Sequence, residues 1–117
     1  MKNKTFLDSI KCAIRGLVKA VKTEKNFKYY VGIASIFLIL NILLKSNKYD
    51  YCLFVGSTIL VFALEYVNTA IERLSDTVET QYHPGIEDTK DIAAAAVLVA
   101  GIGFFLIQGI VLIGKLL

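Results

Sequence analysis

The chain has 117 residues, 56% of them hydrophobic, with one Pro, no Trp and a formal net charge of +3. That is too apolar and too short for several soluble domains, which leaves one compact helical membrane domain as the natural class. The net charge conceals an asymmetry: eight of the 13 Lys and Arg (Lys2, Lys4, Lys11, Arg15, Lys19, Lys22, Lys25, Lys28) precede Tyr29, whereas the segment 73–91 is predominantly acidic. Cations beside the first span predict a cytoplasmic N-terminus. No reading module accompanies them, so nucleic acid is not expected as a partner.

In chain order, residues 3–22 show a clean helical period. Phe6, Ile10, Ala13, Leu17 and Val21 share one face, while Lys11, Arg15, Lys19 and Lys22 line the other. Too charged to span, this helix is expected in the bilayer interface, with apolar residues among acyl chains and cations toward anionic headgroups. Its basic start lacks the short apolar region and cleavage site of a signal peptide. Cys12 and Cys52 are single and far apart, and read as packing residues with no disulfide or metal site. Residues 23–28 form a polar connection holding Glu24, the only acid between Asp8 and Asp50.

The first span is expected over residues 29–44, with Lys28 and Lys45 able to snorkel. Residues 46–50 then make a tight polar turn, and the second span occupies residues 51–76. Its first fourteen residues are uncharged, after which Glu65, Asn68, Glu72 and Asp76 follow at i, i+3, i+7 and i+11, on one helical stripe. A run of fourteen covers only about two thirds of a hydrocarbon core that needs roughly 20 helical residues, so Glu65 falls inside the far edge of the membrane. Ionisable groups at that depth default to a functional reading. For Glu72 and Asp76 a solvated helix end is the bland alternative.

Residues 77–88 are expected as a cytoplasmic loop with a Pro84-Gly85 turn, before a third helix capped by Asp88 or Thr89. Lys90 and Asp91 stand in its first turn, with Lys90 projecting toward the acidic stripe. The third span covers residues 90–114, with Gln108 as the one strongly polar side chain from Ile92 to Gly114, and Ala93, Ala96, Ala100 and Gly103 offer a close-packing face. Gly109 to Lys115 imitates the spacing of a phosphate-binding loop, but Leu116 stands where Ser or Thr is needed and no strand precedes it. His83, beside Pro84, reads as a solvated turn residue.

Acids without His or Cys favour a hard cation such as Mg²⁺, and Mg²⁺ with a lysine suggests phosphates. At this point the chain resembles a known family. Glu65-x-x-Asn68-x-Ala70-Ile71-Glu72, followed after the loop by Lys90-Asp91 and the Ala-rich run to Ala100, is similar to the prokaryotic diacylglycerol kinase family, which includes undecaprenol kinases. Ala13, Gly16 and Glu24-x-Asn26-Phe27 extend the resemblance over nearly the whole chain.

The resemblance implies an all-α integral membrane kinase, an N-terminal amphipathic surface helix plus three transmembrane helices in a homotrimer. It would pass the γ-phosphate of ATP to a membrane lipid alcohol. By motif, Glu65 would be the general base, Glu24 and Glu72 would hold Mg²⁺, Asn68 would orient groups between them, and Lys90 and Asp91 would contact the nucleotide. Tyr30 and Glu87-Asp88-Thr89 depart from the common family pattern. The Tyr82-His83-Pro84 turn and compact N-terminus look more like the undecaprenol branch than the diacylglycerol branch. A non-catalytic three-span interaction protein is the reading from another class, and the intact acidic set argues against it.

Overall fold

The computed structural model describes residues 5–117, and the expected helix start at Asn3, with Lys2 and Lys4, lies outside the described residues. Four helices follow one another: α1 (Phe6–Thr23), α2 (Asn26–Leu43), α3 (Lys48–Val78) and α4 (Pro84–Leu116). The last three are long and apolar enough to cross a membrane. At 1.5 Å per residue, the 31 residues of α3 and 33 of α4 reach about 45–50 Å, well past a hydrocarbon core of about 30 Å. Their ends therefore extend beyond the apolar slab, and the acidic stripe of α3 and Lys90-Asp91 of α4 lie toward the same end of the pair.

Helix α1 starts where Thr5 Oγ1 accepts from the Asp8 amide at 3.1 Å, with Asp8 in the first turn. Phe6, Leu7, Ile10, Ile14, Leu17 and Val21 are all exposed, which suits a helix lying in an interface. Only two residues, Glu24 and Lys25, separate it from α2. The expected polar connection over residues 23–28 is thus shorter, and the helix that carries the first span begins at Asn26, ahead of the expected span start at residue 29. The cause is Phe27, fully buried with its ring centroid 4.6 Å from that of Tyr66, which draws the first turn of α2 onto α3.

The other boundaries move outward for equally local reasons. Asn47 and Asp50 form a capping box, with bonds of 2.9 and 3.0 Å, so α3 starts at Lys48 inside what the sequence suggests is a turn. Helix α4 starts at Pro84, whose missing N–H costs nothing at the first helical position. The His83 side chain caps it, Nδ1 accepting from the Gly85 and Ile86 amides at 3.0 and 3.4 Å. The loop is therefore residues 79–83, not 77–88, and Asp88 and Thr89 lie within the helix instead of capping it. His83 is exposed, as a turn residue should be, and also sets the start of α4.

Two ion pairs show that α3 and α4 run antiparallel. Lys115 Nζ meets Asp50 Oδ2 at 2.7 Å at one end, and Lys90 Nζ meets Asp76 Oδ1 at 2.6 Å at the other. These two helices share the most extensive packing in the protein. Val97, Ala100, Phe104, Gln108 and Leu112 form the buried face of α4. Of the expected small-residue seam, Ala100 is buried and Ala93 and Gly103 partly so, while Ala96 faces outward.

Helix α2 is held by polar contacts at both ends. Toward its C-terminus Asn41 Nδ2 donates to Gln108 Oε1 at 2.7 Å and Ser46 Oγ donates to Asn41 Oδ1 at 2.7 Å, with both amides fully buried. Phe37 packs edge-on against Phe104 and Phe105, at centroid separations of 5.2 and 5.6 Å. Interhelical amide bonds of this kind act as glue between membrane helices.

Candidate active site

The acidic stripe on α3 runs from inside to outside. Glu65 is 2% exposed, Asn68 is buried, Glu72 is half-buried and Asp76 is exposed. An isolated buried carboxylate would be costly, and the fold meets that cost with donors from α2. Tyr30 Oη donates to Glu65 Oε2 at 3.1 Å and Asn26 Nδ2 donates to Glu65 Oε1 at 3.4 Å. These residues stand four apart on α2, one above the other on the face turned to α3.

One turn further along α3, Asn68 Nδ2 donates to Glu72 Oε1 at 3.2 Å, and the buried Asn68 Oδ1 has no partner. An orphaned oxygen beside a carboxylate is a hard donor set, which suits Mg²⁺. Among the described residues no group of three or more His, Cys, Asp or Glu is placed to hold a metal on its own. Mg²⁺ in phosphate-transferring sites is bound through one or two carboxylates plus phosphates and keeps several waters. The residues present therefore fit the expected ion.

Glu65, Asn68 and Glu72 line the polar end of a cavity of about 410 Å³ between α2, α3 and α4. Asn26 and Tyr30 join them there, and the remaining walls are apolar, from Ile33, Ala34 and Phe62 to Gly101, Phe104 and Phe105, with Thr58 the exception. Lys90 and Asp91 belong to a second pocket of about 330 Å³, formed by the ends of α3 and α4 and the 79–83 loop. Asp76 lines this pocket and takes the Lys90 ion pair, one helical turn beyond Glu72 in the first cavity. An apolar cavity ending in a buried acid thus adjoins a polar pocket carrying a lysine.

Glu24 lies in neither pocket. Arg73 Nη2 meets Glu24 Oε1 at 3.3 Å and also donates to Thr23 Oγ1, tying the end of α1 to α3. Tyr66 Oη adds a bond to the Leu17 carbonyl at 3.3 Å, and Ala20 is buried. The structure gives Glu24 and Glu72 separate partners, Arg73 and Asn68. Among the residues singled out from sequence, it brings together Glu65, Asn68 and Glu72 in one place and Lys90 and Asp91 in another.

Sequence reasoning missed Arg73 and the donor role of Asn26 and Tyr30. The i, i+4 spacing of Asn26 and Tyr30 was the available signal, but which face of α2 meets α3 is settled only by packing. The segment imitating a phosphate-binding loop is uninterrupted α4, and its Lys115 is paired with Asp50.

A family model described as prokaryotic diacylglycerol kinase matches residues 11–112. A diacylglycerol kinase of Haemophilus influenzae is 34% identical over 95 residues, covering 81% of this chain and 80% of that protein. An undecaprenol kinase of Bacillus subtilis is 32% identical over 114 residues, covering 95% of this chain and 90% of that protein. A diacylglycerol kinase of Synechocystis is 32% identical over 113 residues, covering 96% and 65% respectively.

Proposed function

The chain belongs to the prokaryotic diacylglycerol kinase family and is a multi-pass membrane lipid kinase, and from this premise we propose that it transfers the γ-phosphate of Mg-ATP to undecaprenol. The observation that carries the reading is the cavity: apolar over most of its wall, wide enough for part of a hydrocarbon chain, with Glu65, Asn68 and Glu72 at its polar end. A lipid hydroxyl cannot leave the interface, so a base acting on it must sit at that depth. Glu65 is the general base in this proposal. Near-complete coverage of the Bacillus subtilis undecaprenol kinase supports a polyprenyl acceptor, as does the Tyr82-His83-Pro84 turn. The slightly higher identity to the Haemophilus influenzae enzyme favours the alternative, diacylglycerol phosphorylated to phosphatidic acid.

Glu72 and Glu24 would hold Mg²⁺, with Asn68 orienting groups beside them, and Glu24 would give up Arg73 to do so. The ion would supply neutralisation of phosphate charge, the main demand of phosphoryl transfer besides alignment. Lys90 and Asp91 would contact the nucleotide in the second pocket, with Asp76 holding the Lys90 side chain until phosphate oxygens replace it. The N-terminus and the 79–83 loop would face the cytoplasm, where ATP is available, as the basic N-terminal block indicates. We further propose a homotrimer, since one chain leaves a broad apolar α4 surface, including Ala96, uncovered. The test is ATP-dependent phosphorylation by purified protein, with undecaprenol and diacylglycerol compared in one detergent. Preference for undecaprenol is expected, and phosphorylation of neither would overturn the reading.

A further inference from the structure

We propose that Tyr30 is a positioning residue for Glu65: its hydroxyl anchors carboxylate oxygen Oε2, leaving Oε1 as the atom that takes the proton from the acceptor alcohol. The inference rests on the kinase reading above. It begins from an inequality between the two bonds that reach the carboxylate. Tyr30 Oη stands 3.1 Å from Oε2 and Asn26 Nδ2 3.4 Å from Oε1, each a little longer than the ordinary range for its kind, about 2.5–3.0 Å for O–H···O and about 2.7–3.2 Å for N–H···O, with the amide the more distant. The phenol is the more acidic donor and the nearer one, so Oε2 is the tied oxygen. Oε1 keeps the freer lone pairs.

The anchor is itself held. The Tyr30 ring packs edge-on against Phe62, with centroids 6.1 Å apart and planes at 77°. Both rings line the apolar cavity, so the hydroxyl enters the site from its wall. A carboxylate reached by a single short side chain could swing about its last torsion. Tied at one oxygen to a ring fixed on a different helix, it presents the other at a constant place, which is what a near-attack geometry requires.

In the step itself, the acceptor O–H bond breaks and its proton passes to Glu65 Oε1. The acceptor oxygen forms its bond to the γ-phosphorus as the bond from that phosphorus to the β-bridging oxygen breaks, and ADP leaves with that electron pair. Tyr30 keeps its own proton throughout. Glu65 then returns its proton to water.

The experiment uses the full chain in one detergent, with steady-state kinetics for ATP and the lipid alcohol, thermal stability, and a double-mutant cycle. Tyr30→Phe keeps the ring against Phe62 and removes only the hydroxyl. Its kcat should fall roughly tenfold to a hundredfold, the scale of one hydrogen bond to a charged group, with KM for ATP within about twofold of wild type. Adding Tyr30→Phe to Glu65→Gln should leave the residual rate unchanged, because a residue that acts only through Glu65 has nothing left to position. A structural role would lower the rate by the same factor in both backgrounds, and that result would overturn the proposal. So would wild-type kcat in Tyr30→Phe, or an equal loss in Tyr29→Phe, whose ring is exposed beside it. An inactive wild-type chain overturns the kinase reading and this inference together, whereas an active one with an active Tyr30→Phe overturns this inference alone.

Discussion

Replacing Glu65 with Gln separates chemistry from folding more cleanly than any other single change in this protein. The side chain is 2% exposed and receives two donors from α2, so its size and hydrogen bonds contribute to docking α2 on α3. Gln fills the same space. Its amide oxygen can accept from one donor, and the Tyr30 hydroxyl can rotate to accept from the amide N–H, so α2 should stay docked on α3. What the variant cannot do is accept a proton. General-base catalysis contributes roughly 10²–10⁴ in rate, equivalent to about 2.7–5.4 kcal/mol of transition-state stabilisation. Turnover should therefore fall by about 10² or more while Mg-ATP binding and oligomeric state persist. One preparation supplies the readouts, namely nucleotide binding, thermal unfolding and lipid phosphorylation. If Glu65 served packing alone, Gln would leave turnover near normal and could raise stability, and that outcome would remove Glu65 from the mechanism.

Four further changes probe other parts of the account. Glu72→Gln should weaken Mg²⁺ and nucleotide binding together, because the ion would join carboxylate to phosphate; unchanged Mg²⁺ dependence would move the metal elsewhere. Asn41→Leu should cost roughly 1–3 kcal/mol by leaving the buried Gln108 amide unpaired, and adding Gln108→Leu should recover part of that loss. Thermal or denaturant unfolding in detergent measures both, and a double variant worse than the sum of the singles would refute the pairing argument. Ala96 faces outward from the single chain, so Ala96→Leu should impair assembly by crowding; a fully active monomer, seen by sedimentation in detergent, would rule out the oligomer. For topology, Gln81→Cys in a background with Cys12 and Cys52 replaced should resist an impermeant thiol reagent added outside intact cells, and its labelling would reverse the proposed orientation.

The legible parts of this protein are those encoded within a few turns of one helix. The amphipathic period of α1, the apolar runs of the three spans and the stripe from Glu65 to Asp76 each depend on spacing alone, and the structure keeps them. Boundaries failed where a local signal carried two meanings. Pro84-Gly85 reads equally as a turn or as the first positions of a helix, and the choice is made by His83 folding back onto the Gly85 and Ile86 amides. Residues 46–50 look like a turn because they are polar, yet Asn47 and Asp50 are polar in order to cap α3.

The candidate site was legible one helix at a time, along α3 and at the start of α4. Residues that reach it from other helices depend on register between segments far apart in sequence. Tyr30 and Glu65 are separated by 35 positions, Asn41 and Gln108 by 67, and Arg73 and Glu24 by 49. No periodicity within one helix could pair them. Glu24, which the resemblance implies as a metal ligand, is paired with Arg73 in this structure, a contact that ties the end of α1 to α3.

The central claim is that the apolar cavity presents a lipid hydroxyl to Glu65 for phosphorylation, and transfer of label from γ-labelled ATP tests it most directly. Purified wild-type chain and Glu65→Gln would be reconstituted in bilayers containing undecaprenol, and the lipid fraction analysed for labelled phosphomonoester. Label should enter the polyprenol with the wild-type chain and fall by about 10² or more with the variant, at equal nucleotide binding. Absence of label from the lipid with the wild-type chain, or equal labelling by both proteins, would contradict the account.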